Sequence, residues 1–205
     1  MNKFAITLVA IVALATGLFF GTRQSAPDLS ELSGFSFPEP EALTEVALVD
    51  HNSEPFSETN FKDQWTFIYV GYTFCPDYCP ATLTTLDQTH KLLSEEGDPQ
   101  VSTMLLSVDP DRDTPEHLKD YVKFFNEDFT GVTGTPEEIK KFANQISAVY
   151  SVPENREDPN YLVDHSSTVV LINPDASVQA VFTAPQTADS LAKDFRLLAA
   201  HYDTR

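Results

Sequence analysis

Hydrophobic residues are spread unevenly along this chain. From Phe4 to Phe20 they run almost unbroken, flanked by Lys3 and Arg23. At roughly 1.5 Å of rise per helical residue, the run is just long enough to cross a thin hydrocarbon core. It is longer than a usual signal-peptide core and no Ala-x-Ala site follows it directly. Residues 1–23 therefore read as an uncleaved membrane anchor, with a cleaved signal peptide as the rival reading. The positive amino end stays in the cytoplasm, which places the rest of the chain outside, in an oxidising compartment. Periodicity then lapses. Residues 24–45, with Pro27, Pro38 and Pro40, read as an extended linker on which Phe35 and Phe37 can dock.

Regular patterns begin near Val46, so residues 46–205 read as the folded domain. Val46–Val49 and Phe56–Phe61 suggest short edge strands or turns around the turn signal Asp50-His51-Asn52-Ser53, with His51 on the surface. Trp65–Val70 is a continuous apolar run, the mark of a strand buried on both faces. A helix follows Cys79: Leu83, Leu86, His90 and Leu93 recur at helical spacing until Gly97 ends the stripe. Val101–Val108 is the next strand. Thr114 and Pro115 form a cap and first position for a helix with Leu118, Tyr121, Val122 and Phe125 inward. Thr135-Pro136-Glu137-Glu138 reads as a capping box before Ile139, Phe142 and Ile146. A short strand is expected at Ala148–Val152, a polar loop from Pro153 to Asn160, and a hairpin from Ser167–Ile172 through Asn173-Pro174-Asp175-Ala176 to Ser177–Phe182. Thr187 caps a last helix bearing Leu191, Phe195, Leu198 and, near its end, His201.

This order is that of a thioredoxin-like α/β domain, a central mixed sheet flanked by helices. A strand–helix–strand crossover makes Trp65–Val70 and Val101–Val108 parallel. Their carboxyl ends share one edge, where α/β folds place their sites.

Charge narrows the function classes. The chain has 205 residues, 13 basic and 31 acidic, with a formal charge of -18. Lys3 and Arg23 lie in the first 23 residues, which hold no acid, so the remainder carries 11 basic against 31 acidic residues, a formal -20. Such a surface lacks the basic footprint of nucleic-acid binding. It suits a soluble domain near a membrane or one that meets basic partners.

Both cysteines of the chain stand in Gly71-Tyr72-Thr73-Phe74-Cys75-Pro76-Asp77-Tyr78-Cys79-Pro80. A strand-to-helix turn favours thiolates through unpaired N–H groups and the helix dipole. The four-residue spacing lets Cys75 and Cys79 close as a redox disulfide or grip one soft metal ion. If Ser167–Ile172 pairs antiparallel with Trp65–Val70, His165 arrives beside both cysteines. Two thiolates and an imidazole form a soft, nearly trigonal set that suits Cu(I), or Cu(II) with an added weak ligand, whereas zinc wants a fourth strong ligand. A thioredoxin-type oxidoreductase usually has two residues between its cysteines and a cis-proline facing them. This chain has three, and His165 where that proline would be expected. Asp109, Asp111 and Asp113 read as turn and cap residues, with Arg112 paired among them.

The cysteine segment, together with Ser107-Val108-Asp109-Pro110-Asp111-Arg112-Asp113-Thr114-Pro115 and Val163-Asp164-His165-Ser166-Ser167, closely resembles the three signature blocks of the Sco (SenC) copper-chaperone family, from about Leu43 to the C-terminus. The resemblance implies that Cys75, Cys79 and His165 bind copper. It implies a metallochaperone rather than a turnover enzyme. The expected partners are cytochrome c oxidase subunit II or another exported copper protein, other copper chaperones and thiol reductants. The expected location is a bacterial inner membrane, single-pass, with the domain in the periplasm. Thiol–disulfide exchange through Cys75 and Cys79, keeping exported cysteines reduced, is the competing function. A peroxidase or sensor role and a purely structural disulfide also stay open.

Overall fold

The structure, a computed structural model, describes residues 27–204. The anchor expected over residues 1–23 lies outside the described residues. Among those described, no helix is long and apolar enough to cross a membrane.

In chain order, β1 (Phe35–Ala42), β2 (Leu48–Asp50) and β3 (Pro55–Phe56) precede β4 (Trp65–Gly71). Then α1 (Tyr78–Glu96) leads to β5 (Val101–Ser107), α2 (Pro115–Phe125) to β6 (Thr130–Thr133), and α3 (Pro136–Gln145) to β7 (Tyr150–Ser151) and β8 (Asp164–His165). β9 (Val169–Ile172), β10 (Ser177–Phe182) and α4 (Ala188–Tyr202) follow. One mixed sheet has the order β1-β10-β9-β4-β5-β6-β2-β3, and β7 and β8 form a separate pair. β4, β5 and β6 run parallel, and β9 lies antiparallel beside β4. This is the flanked mixed sheet expected of a thioredoxin-like order.

All seven residues of β4 are buried, which explains why its sequence is apolar without alternation. Crossovers through α1 and α2 carry the chain from β4 to β5 to β6, and the right-handed rule for such connections puts both helices on one face. There α1 touches both α2 and α4. Phe195 of α4 packs on Trp65 and Phe67, with ring centroids 5.6 and 6.0 Å apart. Full burial of each such side chain stabilises the fold by about 1.5–3 kcal/mol.

The helix ends follow local chemistry. Gly97 sits at φ 73° and its N–H closes α1 onto Leu93 and Ser94 carbonyls. Thr114 and Thr135 accept the N–H groups of His117 and Glu138, each with proline at the first helical position. Only this half of the box expected at Thr135 is formed. Thr187 and Ser190 make a full reciprocal box at α4.

Two expectations change. The stretch read as an extended linker contains β1, which pairs antiparallel with β10 from Phe35↔Val181 to Ala42↔Ser177, with a register shift between Ser36 and Glu41. Pro38 and Pro40 are tolerated because β1 is an edge strand and the ladder is interrupted there. His51, read as a surface turn residue, is 7% exposed and its Nδ1 accepts the Gly131 N–H at 2.9 Å.

Candidate metal centre

Gly71 is the last residue of β4, and the chain must turn there beneath the helix it is about to form. A Cβ on Gly71 would stand 2.5 Å from Cys79 Sγ, so the absent side chain is what makes room for that sulfur. The turn closes with the Cys75 N–H donating to the Tyr72 carbonyl at 3.3 Å. α1 starts at Tyr78, which puts Cys79 in its first turn, where the helix dipole favours negative charge. Cys75 and Cys79 are both free thiols and both buried.

The turn is fastened from the loop that follows the next strand. Asp113 is fully buried and accepts from the Thr73 N–H at 3.0 Å and from the hydroxyls of Thr73 and Ser107, each at 2.5 Å. Burial pushes the Asp113 carboxyl up, and those hydrogen bonds pull against it. Asp109, also buried, accepts from Arg112 Nε and from the Tyr161 hydroxyl at 2.6 Å. Arg112 thus pairs within its own loop, as expected. Asp109 and Asp113, however, are more than turn residues: they tether segments 52 and 40 residues away, respectively. Asp111 alone stays at the surface, bonded to Arg156.

His165 arrives on β8, which pairs with β7 rather than with the main sheet. Its ring stands edge-on to Tyr69 and Tyr72, at centroid distances of 6.0 and 5.8 Å. Nε2 lies 3.6 Å from Cys79 Sγ, and Nδ1 lies 3.3 Å from the Ser166 carbonyl. A carbonyl only accepts, so Nδ1 carries a proton there. The neutral ring then turns the Nε2 lone pair toward the sulfurs, and the protonated ring turns an N–H to a thiolate.

The two sulfurs and an imidazole nitrogen lie within 4.8 Å of one another. A tetrahedral or trigonal ion at about 2.3 Å from sulfur and 2.0 Å from nitrogen needs donors about 4 Å apart. The three atoms stand within about 1 Å of that spacing. The donor set is soft, and a ring held by a backbone carbonyl at Nδ1 is oriented for ligation at Nε2. The same geometry supports thiol chemistry. A hydrogen bond from Cys79 holds the Cys75 thiol far below its ordinary range, to about 4; burial opposes this, and His165 then adds to the lowering. The Cys79 thiol moves the other way, raised by sharing its hydrogen bond with Cys75 and by burial. These opposite directions make Cys75 the more acidic thiol of the pair.

All three sequence-identified residues therefore converge. Sequence reasoning missed the residues around them: Gly71 as a steric slot, Thr73 and Asp113 as a clamp, and Tyr72, Arg112 and Tyr161 as a stacked group. The Gly before the cysteine turn and the Asp-x-x-Arg-Asp run were the only local signals.

A family model described as SCO1/SenC matches residues 39–200. A "Putative copper-binding protein" of Stutzerimonas stutzeri is 32% identical over 165 residues, covering 80% of each chain. The human "Protein SCO1 homolog, mitochondrial" is 33% identical over 175 residues, 85% of this chain and 58% of that protein. This chain thus spans little more than half the length of that mitochondrial relative. The crystal structure of Arabidopsis thaliana ScoI with copper bound superposes with a TM-score of 0.69 at 32% identity, covering 80% of this chain and 98% of that one.

Proposed function

The chain belongs to the SCO1/SenC family, and from that premise we propose that it is a copper metallochaperone whose cargo is held by Cys75, Cys79 and His165. The observation that carries the reading is the convergence of two sulfurs and one imidazole nitrogen within 4.8 Å, from segments far apart in the chain. Neutral His165 offers Nε2, both thiols lose their protons on loading, and the soft three-donor set favours Cu(I). A three-donor site also leaves copper open to attack by a partner's thiolate, so cargo can pass by ligand exchange. The client in this reading is cytochrome c oxidase subunit II or another exported copper protein. The place is the periplasmic face of an inner membrane, with residues 1–23 as the anchor.

A second function is favoured by a specific observation. Cys75 and Cys79 are free thiols, and the Cys75 thiolate is strongly stabilised. That is the poise of an attacking thiol, and the pair can reduce a disulfide on an exported partner by closing its own.

The deciding experiment is a competitive Cu(I) titration of the reduced protein beside Cys75→Ala, Cys79→Ala and His165→Ala. One tight site weakened by each substitution supports the metallochaperone. Weak binding indifferent to His165 would transfer the lead to the thiol–disulfide reading.

A further inference from the structure

The two segments that meet at the site are held very differently. The cysteine turn hangs on the main sheet, through the Thr73–Asp113 clamp and the packed start of α1. His165 sits on a two-residue strand whose ladder partner among the described residues is equally short and apart from the main sheet, extended by one bond from the Ser166 N–H to the Val149 carbonyl at 2.8 Å. Just before it, residues 154–160 are all exposed. A ladder of two pairs fixes position weakly, so the histidine needs another fastening.

Arg112 supplies it. Its Nε donates to Asp109 and its Nη1 donates to the Pro159 carbonyl at 3.0 Å. The guanidinium carbon lies 3.5 Å from the centroid of the Tyr161 ring, 4.7 Å from Phe74 and 5.6 Å from Tyr72. Phe74 belongs to the cysteine turn, while Pro159 and Tyr161 belong to the segment that delivers His165. The Tyr161 hydroxyl joins the same Asp109 carboxylate. Arg112 Nη2 is buried with no hydrogen-bond partner among the described residues. The guanidinium is therefore held jointly by the Asp109 carboxylate, the Pro159 carbonyl and the aromatic faces around it, a combination its planar, delocalised fork fills and an ammonium does not. Tyr72 transmits the fixation: its hydroxyl accepts the Val163 N–H at 3.2 Å and its ring meets His165.

We propose that Arg112 is a positioning residue that binds the His165-bearing segment to the cysteine turn and so keeps the imidazole within reach of the two sulfurs. The copper arm of its test rests on the metal-site reading above; the structural arm does not.

The test uses the full chain with Arg112→Gln, Arg112→Lys, His165→Ala and the double variant Arg112→Gln/His165→Ala. In Cu(I) competition, Arg112→Gln should weaken binding to within about threefold of His165→Ala. The double variant should bind no more weakly than His165→Ala alone, because the lost interaction runs through the histidine. Arg112→Lys keeps the charge but should restore less than half of the loss. In the reduced, metal-free protein, the NOE between the His165 and Tyr72 rings should fade in Arg112→Gln while contacts between Thr73 and Ser107 persist. If Arg112→Gln does not fold, Tyr161→Phe carries the test, and should weaken the same NOE in the same direction. A retained His165–Tyr72 NOE overturns the proposal. So does an Arg112→Gln effect on Cu(I) that is as large without His165 as with it. Should His165→Ala bind Cu(I) like the unaltered chain, the metal-site reading fails and the NOE alone decides the role of Arg112.

Discussion

Cys79 Sγ and His165 Nε2 lie 3.6 Å apart although 86 residues separate them in the chain. The sheet order produces this meeting. β4 and β9 are antiparallel neighbours, so the end of β4, which leads into the cysteine turn, faces the start of β9, which follows the histidine. The contact is a property of topology, and substitutions that leave the topology intact can still dissect it.

Gly71→Ala is the sharpest steric probe. Its new Cβ would lie 2.5 Å from Cys79 Sγ and 3.3 Å from the Tyr69 ring. Relief requires the sulfur to rotate away or the turn to shift, and either disturbs its place in the site. We expect Cu(I) affinity to fall at least about tenfold, with a stability loss of about 1–3 kcal/mol typical of overpacking. Competition titration and denaturant unfolding measure the two separately. Wild-type affinity in this variant would show that Cys79 does not need its present position.

The cysteines should differ sharply in reactivity. Cys75 is held to about 4, chiefly by the hydrogen bond from Cys79, whereas the Cys79 thiol is raised and fully buried. Iodoacetamide should therefore label Cys75 first, and that labelling should persist down to about pH 5. Cys79→Ala removes the largest cause of the lowering, so the alkylation profile of Cys75 should move to higher pH. Mass spectrometry of alkylated peptides reads both effects. Equal labelling of the two thiols would contradict the assignment of the thiolate to Cys75.

Much of this was legible beforehand, and the parts that were not share a cause. The cysteine pair, the helix caps and the apolar run of β4 are local signals, readable from residues a few positions apart. The convergence of His165 followed from strand order alone. By contrast, Phe35–Ala42 shows no alternation and carries two prolines, so its pairing with β10 is visible only from the other strand. Asp109 and Asp113 sit in a segment whose prolines and threonine already explain a turn and a cap. Their partners Tyr161 and Thr73 lie 52 and 40 residues away, and nothing local marks a carboxylate as buried. His51 misled for the same reason, since its partner is the backbone of Gly131.

One buried histidine, His51, and one half-buried, His90, should set the acid limb of stability. Burial, helped by the Lys123 charge, holds His51 below its ordinary value of 6.5, and burial does the same for His90. His51 Nδ1 accepts from Gly131, and His90 Nε2 meets the Thr103 hydroxyl at 2.8 Å. Because the folded values are depressed, the unfolded chain takes up protons first as pH falls. Their contribution is present above pH 6.5 and is lost as pH falls through the folded values. Tm should thus drop between about pH 7 and pH 5. His51→Asn, whose amide oxygen can replace Nδ1 as acceptor, should flatten that slope. An unchanged slope in His51→Asn and in His90→Gln would assign the acid limb to other groups.

Asp194 should govern β1 without touching the site. Its carboxylate is buried in α4 and accepts from the Ser33 N–H at 2.9 Å, the Ser33 hydroxyl at 2.5 Å and the Gly34 N–H at 3.2 Å. Those bonds pin the chain just before β1 enters the sheet edge. Asp194→Ala removes the shared acceptor of three donors, two of them on exposed Ser33 where water can take its place, so the loss should be about 1 kcal/mol. The cost should fall on β1 first, because β10 and β9 stand between it and β4. Hydrogen exchange should accelerate across residues 35–42 while β4 and β5 stay protected, and Cu(I) affinity should not change. Uniform acceleration across the sheet would mean that β1 is an integral part of the cooperative core rather than a strap fastened to its edge.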